Sequence, residues 1–179
     1  MAVRRTLVAG TALLLVATGC GGGGKIGAEE YVASVCTEVG GWVEEVQARS
    51  DRLGKDVAGV TANDARRDLL AEYFDDLIAL TDDHLAGMRN AGVPDVDAGE
   101  TIADAFVGVF EEAKAALQAA RGKVDELPTD DPAAFAAAAG ELGSSIESAL
   151  TEVGGSLQGL DSAELTEAAQ DQDCPALTG

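Results

Sequence analysis

Four long segments of the chain repeat their apolar residues every three or four positions, which is the spacing of a helix with one buried face. They run from about residue 28 to 57, from 61 to 91, from 99 to 127 and from 132 to 160. No segment of the chain shows the alternation of apolar and polar residues that is typical of a β-strand. The pattern therefore predicts an all-α fold.

The apolar stripes identify the side chains expected to face the core. In the first segment the stripe comprises Val32, Val35, Cys36, Val39, Trp42, Val43, Val46, Leu53 and Val57. In the third segment it comprises Ile102, Phe106, Val109, Ala113, Leu117, Ala120, Val124 and Leu127.

Local signals place the boundaries of the second and third segments. Thr61 and Asp64 form an approximate capping box, which predicts that the second helix opens at Thr61. Gly92 suits the end of that helix, and Pro94 prevents its continuation.

The ends of the later segments are also marked. Asp131 is a good N-cap, and Pro132 follows it at the first helical position, where a missing donor does no harm. Ser162 predicts a short fifth helix through about Ala169. Because the connections are short, we expect an antiparallel, up-down-up-down four-helix bundle with a short C-terminal helix.

Glycine is frequent inside these helical patterns, and each exposed glycine costs about 1 kcal/mol relative to alanine. The positions are Gly40, Gly41, Gly54, Gly87, Gly108, Gly122, Gly140, Gly143, Gly154 and Gly155. Alanine is abundant and aromatic residues are few, so we expect a thin core with closely approaching helices. A covalent crosslink would suit such a fold.

The first residues resemble an export leader that ends in a lipobox. Arg4 and Arg5 precede an apolar run of about a dozen residues, shorter than the roughly 20 that a spanning helix needs. Ala17-Thr18-Gly19-Cys20 then predicts removal of residues 1–19 and a lipid on the Cys20 sulfur. The alternatives are an uncleaved membrane anchor or secretory cleavage without lipid.

This leader predicts three regions and a location. Residues 1–19 are the signal peptide, residues 20–27 the lipidated cysteine with a Gly-rich tether, and residues 28–179 the helical domain. Two acyl chains give stable attachment, so the expected site is the extracytoplasmic face of the cell membrane. The arginine pair also loosely resembles a twin-arginine signal, although the strong apolar run favours the general secretory route.

The three cysteines fit this location once Cys20 carries lipid. Cys36 and Cys174 remain as an even pair outside the reducing cytosol, which favours a disulfide. In the expected bundle the end of the fourth helix lies beside the start of the first, so topology favours the same pairing. Two free thiols or an intermolecular bridge are the alternatives.

The charge of the chain excludes several classes of partner. It has 12 basic and 32 acidic residues, a formal net charge of −20. Loss of Arg4 and Arg5 leaves (12 − 2) − 32 = −22. Nucleic acid and anionic lipid would repel such a protein. We interpret the negative charge as a surface that keeps the protein soluble. The alternative is that it attracts cations or a basic partner.

Catalytic and metal-binding patterns are missing from the sequence. His84 is the only histidine, and no G-x-S-x-G motif or phosphate-binding loop occurs. Asp82-Asp83-His84 could hold a cation weakly, but a lone histidine beside an apolar stripe is more often packed. The segment that begins at Asp95 weakly resembles an EF-hand calcium-binding loop. It lacks the required glutamate, because Phe106 occupies that position. We therefore expect no catalytic residue, cofactor or metal.

Several motifs together resemble the small secreted lipoproteins of actinobacteria, a family without an assigned activity. They are the lipobox at Cys20, Val35-Cys36, the central segment from Ala91 to Glu100, and Cys174-Pro175. The family pattern has a second proline where this chain has Asp95. The resemblance implies a helical, disulfide-linked, membrane-anchored domain on the outer face of a Gram-positive cell, and it implies no catalytic residues.

These observations predict a non-enzymatic binding or interaction module of the bacterial envelope. Its expected partners are the membrane, through Cys20, and an envelope protein. The alternative is a carrier of a small apolar ligand or lipid between the helices, since Gly- and Ala-rich bundles can be hollow.

Globomycin, which blocks the lipoprotein signal peptidase, tests the leader. Treated cells should accumulate a heavier membrane-bound precursor, because residues 1–19 would no longer be removed. Immunoblotting measures the shift, with an exported protein that lacks a lipobox as the control. Unchanged processing of the chain would contradict lipidation at Cys20.

Overall fold

A computed structural model describes residues 24–155, 162–172 and 174. The elements in chain order are β1 (Lys25–Ile26), α1 (Ala28–Ala58), α2 (Asn63–Asn90), β2 (Val93–Pro94), α3 (Gly99–Val124), α4 (Pro132–Gly155) and α5 (Ala163–Asp171). The predicted helical class is confirmed. The predicted signal peptide and the predicted lipidation site, Cys20, lie outside the described residues.

Helix α1 packs along α2, and residues later in α1 contact residues earlier in α2. Trp42 donates its indole N–H to the Thr81 hydroxyl at 3.0 Å. Two turns further along α1, the Ser50 hydroxyl lies 2.8 Å from that of Tyr73, which is earlier in α2. Thr81 is fully buried and also donates to the Leu77 carbonyl, so the polar groups of this interface are satisfied.

Helices α2 and α3 are joined by apolar packing inside and by ion pairs at the surface. The pairs are Arg89 with Glu111, Asp82 with Lys114, and Asp75 with Arg121. As along α1 and α2, later residues of one helix meet earlier residues of the other. Exposed pairs contribute little to stability, so the apolar contacts hold the helices together.

The core consists of two apolar clusters. The first contains Tyr31, Val32, Val35, Leu85, Met88, Ala91, Ile102, Phe106, Phe110, Leu165, Ala168, Ala169 and Cys174. The second contains Phe74, Leu77, Leu80, Leu117, Ala120, Val124, Leu127, Phe135 and Leu142. Helix α4 packs against α3 in the second cluster, and α5 packs against α1 in the first. Trp42 contacts both.

The predicted stripes are wrong at Val43, and they omit the buried Phe110. Val43 is 53% exposed, because the Trp42 ring fills the interface and successive residues point about 100° apart on a helix. Trp42 meets Phe110 edge to face, with ring centroids 5.8 Å apart. Phe110 is accordingly the buried residue at this level of α3, and Val109 is only partly buried.

Of the three helix starts predicted from capping residues, the one at Thr61 is wrong and those at Asp131 and Ser162 are confirmed. The capping box at Thr61 is wrong, since α2 begins at Asn63 without a side-chain cap. Asn63 is instead buried and donates to the Thr129 carbonyl at 3.2 Å, which ties the start of α2 to the α3–α4 connection.

The other two caps are confirmed. The Asp131 carboxylate accepts from the backbone of Ala133 at 2.8 Å, directly before α4 begins at Pro132. The Ser162 hydroxyl accepts from the Leu165 backbone at the start of α5.

A short parallel pairing was not expected from the sequence. Lys25 stands opposite Val93, Ile26 stands opposite Pro94, and the Asp95 amide donates to the Ile26 carbonyl at 2.7 Å. Gly92, with φ of +86°, turns the chain out of α2 and leaves an extended stretch for the pairing. Lys25 and Ile26, which the sequence places in the tether, are thus docked on the domain.

The predicted disulfide between Cys36 and Cys174 is confirmed. It joins residues 138 positions apart, with Cα atoms separated by 5.9 Å. The Gln172 side chain also donates to the Glu29 carbonyl at 2.7 Å. Gln172 and Cys174 are therefore fastened to the first turns of α1.

Replacing both Cys36 and Cys174 with serine should lower the melting temperature by about 10 to 20 °C. This follows from a chain-entropy contribution of about 4 to 5 kcal/mol for so long a loop. Circular dichroism during heating measures the change. Cys20→Ser, which leaves the disulfide intact, is the control and should melt like the parent. Equal melting of the double variant and the control would show that the disulfide contributes nothing.

Candidate functional site

His84 lies at the interface between α1 and α2, between two carboxylates of α1. Its Nδ1 is 2.8 Å from Glu38 Oε2, and its Nε2 is 3.8 Å from Glu45 Oε1. Its side chain is only 14% exposed. The arrangement can fasten the two helices electrostatically, and it holds the imidazole in one orientation.

Two glycines provide the space for this pair. A methyl group at Gly41 would lie 3.1 Å from His84 Cε1, and one at Gly87 would overlap the Glu38 carboxylate. Each helix therefore contributes a glycine where the other helix inserts a polar side chain. The glycines that weaken the helices locally permit their close approach here.

The second carboxylate is balanced by a cation on its own helix. Arg49 lies 2.8 Å from Glu45, and this hydrogen bond, with a smaller contribution from His84, holds the pKa of Glu45 below its usual range. Glu45 is consequently ionised at neutral pH, and its negative charge faces His84.

An open surface groove of about 510 Å³ adjoins this pair, between the start of α1 and the end of α2. It is lined by Glu30, Ala33, Ser34, Thr37, Glu38, Gly87, Asn90 and Ala91. We call it the α1–α2 groove. Its lining has two carboxylates and no basic residue, so it favours a positively charged group.

The hydroxyl groups of the α1–α2 groove are engaged by their own helix. Ser34 donates to the Glu30 carbonyl at 3.0 Å, and Thr37 donates to the Ala33 carbonyl at 2.8 Å. The hydrogen bond of His84 goes to Glu38. The groove therefore offers acceptors for a ligand's N–H groups.

The structure separates the residues of the cation site considered from sequence. Asp82 pairs with Lys114 of α3, Asp83 is exposed, and His84 turns toward α1. Asp95, at the start of the calcium-like segment, pairs with Lys25 at 3.1 Å. Within the described residues no three His, Cys, Asp or Glu side chains are placed to hold a metal ion.

Glu38, Gly41 and Gly87 are the members of this site that sequence reasoning missed. The sequence analysis treated the two glycines only as helix-weakening positions and did not single out Glu38. Their partnership depends on the register of α1 against α2, which no local motif encodes. A glycine one turn from a buried polar residue was the only available signal.

Comparison of the chain with family models, curated proteins and solved structures finds no significant match. Among the described residues, none of the helices combines the length and apolar character needed to cross a bilayer.

Gly87→Ala and Gly40→Ala form a matched pair that tests the Glu38–His84 contact. Both changes improve helix propensity by about 1 kcal/mol. A methyl at Gly40 meets no atom within 4 Å, whereas one at Gly87 displaces the Glu38 carboxylate. Gly87→Ala should therefore be less stable than Gly40→Ala by about 1 to 2 kcal/mol, since a charged hydrogen bond is lost.

Urea denaturation of the two variants measures this difference in the free energy of unfolding. Equal stabilisation by both alanines would mean that the displaced carboxylate contributes nothing to the interface.

Proposed function

We propose that this chain is a non-enzymatic lipoprotein, held by lipid on Cys20 at the extracytoplasmic face of the cell membrane. There it binds a protein partner of the envelope through the α1–α2 groove. We also propose that the chain is related to the small secreted lipoproteins of actinobacteria. The support for this is the set of motifs named in the sequence analysis.

The disulfide supports the location outside the cytoplasm. Cys36 and Cys174 are bonded to each other, and such bonds persist in oxidising compartments. With that pair formed, Cys20 is the remaining cysteine of the three and is available to the lipid. The lipobox in front of it supports the same assignment.

The acidic lining of the α1–α2 groove is the observation that carries the binding proposal. Glu30 and Glu38 face a shared open surface, and Asn90 adds an amide to it. A lysine or arginine side chain from a partner could pair with these carboxylates. Because the surface is open, it suits a segment of a protein better than an enclosed small molecule.

Two further grooves in the described part of the chain contain charged side chains as well. A groove of about 340 Å³ includes Lys25, Asp97 and Glu100. A smaller one of about 150 Å³ includes arginine, aspartate and glutamate side chains. These linings support an interaction module rather than the carrier of an apolar ligand.

We also propose that the helices form an antiparallel, up-down-up-down four-helix bundle. The opposed contacts between α1 and α2 and between α2 and α3 support this arrangement. The connection of residues 125–131 between α3 and α4 is short, which favours a reversal of direction there too. In this arrangement α5 covers α1 at the disulfide.

A photo-crosslinking residue at Thr37 tests the binding proposal in intact cells. Thr37 is exposed and lines the α1–α2 groove, so illumination should give a discrete adduct with an envelope protein. Ser34→Arg should reduce this adduct at least several-fold, because it fills the groove and adds a positive charge.

Ser148→Arg is the matched control. Ser148 is also a helical serine that donates to the carbonyl four residues earlier, but it lies on α4, away from the groove. An adduct lost equally in both variants, or insensitive to both, would refute binding at the α1–α2 groove.

A further inference from the structure

We infer that the domain stands on the membrane by one end, with its long helices projecting outward. We call that end the acidic end. It comprises the β1–β2 pairing and the exposed carboxylates Glu29, Glu30, Asp95, Asp97 and Glu100. The inference rests on the lipid attachment proposed above, and it adds an orientation and a class of partner.

The tether is too short to let the domain move far from the lipid. Four peptide units separate Cys20 from Gly24, and fully extended they reach at most about 14 Å. A lipid on Cys20 therefore keeps Gly24 within that distance of the lipid headgroups.

The chain joins the domain immediately after Gly24. Lys25 and Ile26 pair with Val93 and Pro94, and the Ile26 side chain packs against the first core cluster. The Lys25 ammonium also lies 3.1 Å from the Asp95 carboxylate. Because these contacts hold the entering chain, no further slack is available between the tether and the acidic end.

The opposite end lies a helix length away. Helix α1 has 31 residues and is about 46 Å long. Its last residue, Ala58, precedes the connection to Asn63, whose side chain is bound to Thr129. The exposed Asp130 follows Thr129, so it marks the far end.

Electrostatic repulsion opposes a domain that lies flat. Exposed carboxylate pairs occur along three helices, at 44–45, 75–76 and 111–112. In each pair only one member, Glu45, Asp75 or Glu111, has an arginine partner among the described residues. If the domain lay flat on an anionic surface, a helix face with such a carboxylate pair would lie against that surface over its full length. It would then be within the Debye length, which is about 10 Å at 0.1 M salt. Standing on one end exposes only the acidic end to that repulsion, and the tether already holds this end there.

This orientation places the α1–α2 groove near the membrane. Glu38, the last α1 residue that lines it, is the eleventh residue of the helix and lies about 15 Å from its start. Its partner should therefore be a basic segment close to the bilayer, such as the juxtamembrane stretch of a membrane protein.

Energy transfer from a labelled cysteine to acceptor-labelled lipid tests the orientation. The chain is purified in its lipidated, disulfide-bonded form, so that an introduced cysteine is the single free thiol. Asp97→Cys marks the acidic end and Asp130→Cys the far end. The two changes are matched, because both remove an exposed aspartate from a connection between helices.

On anionic vesicles in about 0.1 M salt, transfer from position 97 should be at least about two-fold more efficient than from position 130, given the helix length between the ends. Glu100→Cys and Glu126→Cys repeat the comparison with independent residues. Equal efficiencies at both ends, or greater efficiency at the far end, would overturn the orientation.

Failure of the lipid attachment is recognised separately. Mass spectrometry of the N-terminal peptide reports the acyl chains on Cys20, and flotation reports vesicle binding. A chain without lipid refutes the proposed function. A lipidated, vesicle-bound chain with equal transfer from both ends refutes the orientation alone.

Discussion

Burial of the first turns of α1 is the interaction on which the rest of the structure depends. Tyr31, Val32 and Val35 are almost completely removed from solvent. Tyr31 meets Phe106 of α3 edge to face, with centroids 6.3 Å apart, and burial raises its pKa to about 12. The strand pairing precedes this segment and the disulfide follows it, so both ends of the described chain converge here.

The sequence was informative where a single residue determines a local structure. Asp131 and Ser162 cap their helices as expected, because a short polar side chain satisfies backbone donors within three residues. Cys36 and Cys174 could be paired, since the lipidation expected at Cys20 would leave them as an even number. At Thr61 the local pattern failed: α2 begins at Asn63 without a side-chain cap, and Asn63 instead donates to the distant Thr129 carbonyl.

The candidate site was less predictable, because its residues come from two helices whose register is set by packing. Glu38 and His84 are 46 positions apart, and the pattern of neither helix by itself indicates that they meet. Their contact needs Gly41 and Gly87 opposite them, so glycines that disfavour an isolated helix favour the assembled pair. The β1–β2 pairing could not be predicted from the sequence either, since a strand of two residues is too short to show an alternation of apolar and polar residues.

The position of Trp42 has a consequence for spectroscopy. It is the only tryptophan of the chain, it contacts both core clusters, and its indole N–H is bound to the buried Thr81. Its emission thus originates at the junction between the two halves of the interior. The molecule carries an intrinsic fluorophore whose spectrum responds when either half loosens, without any attached dye.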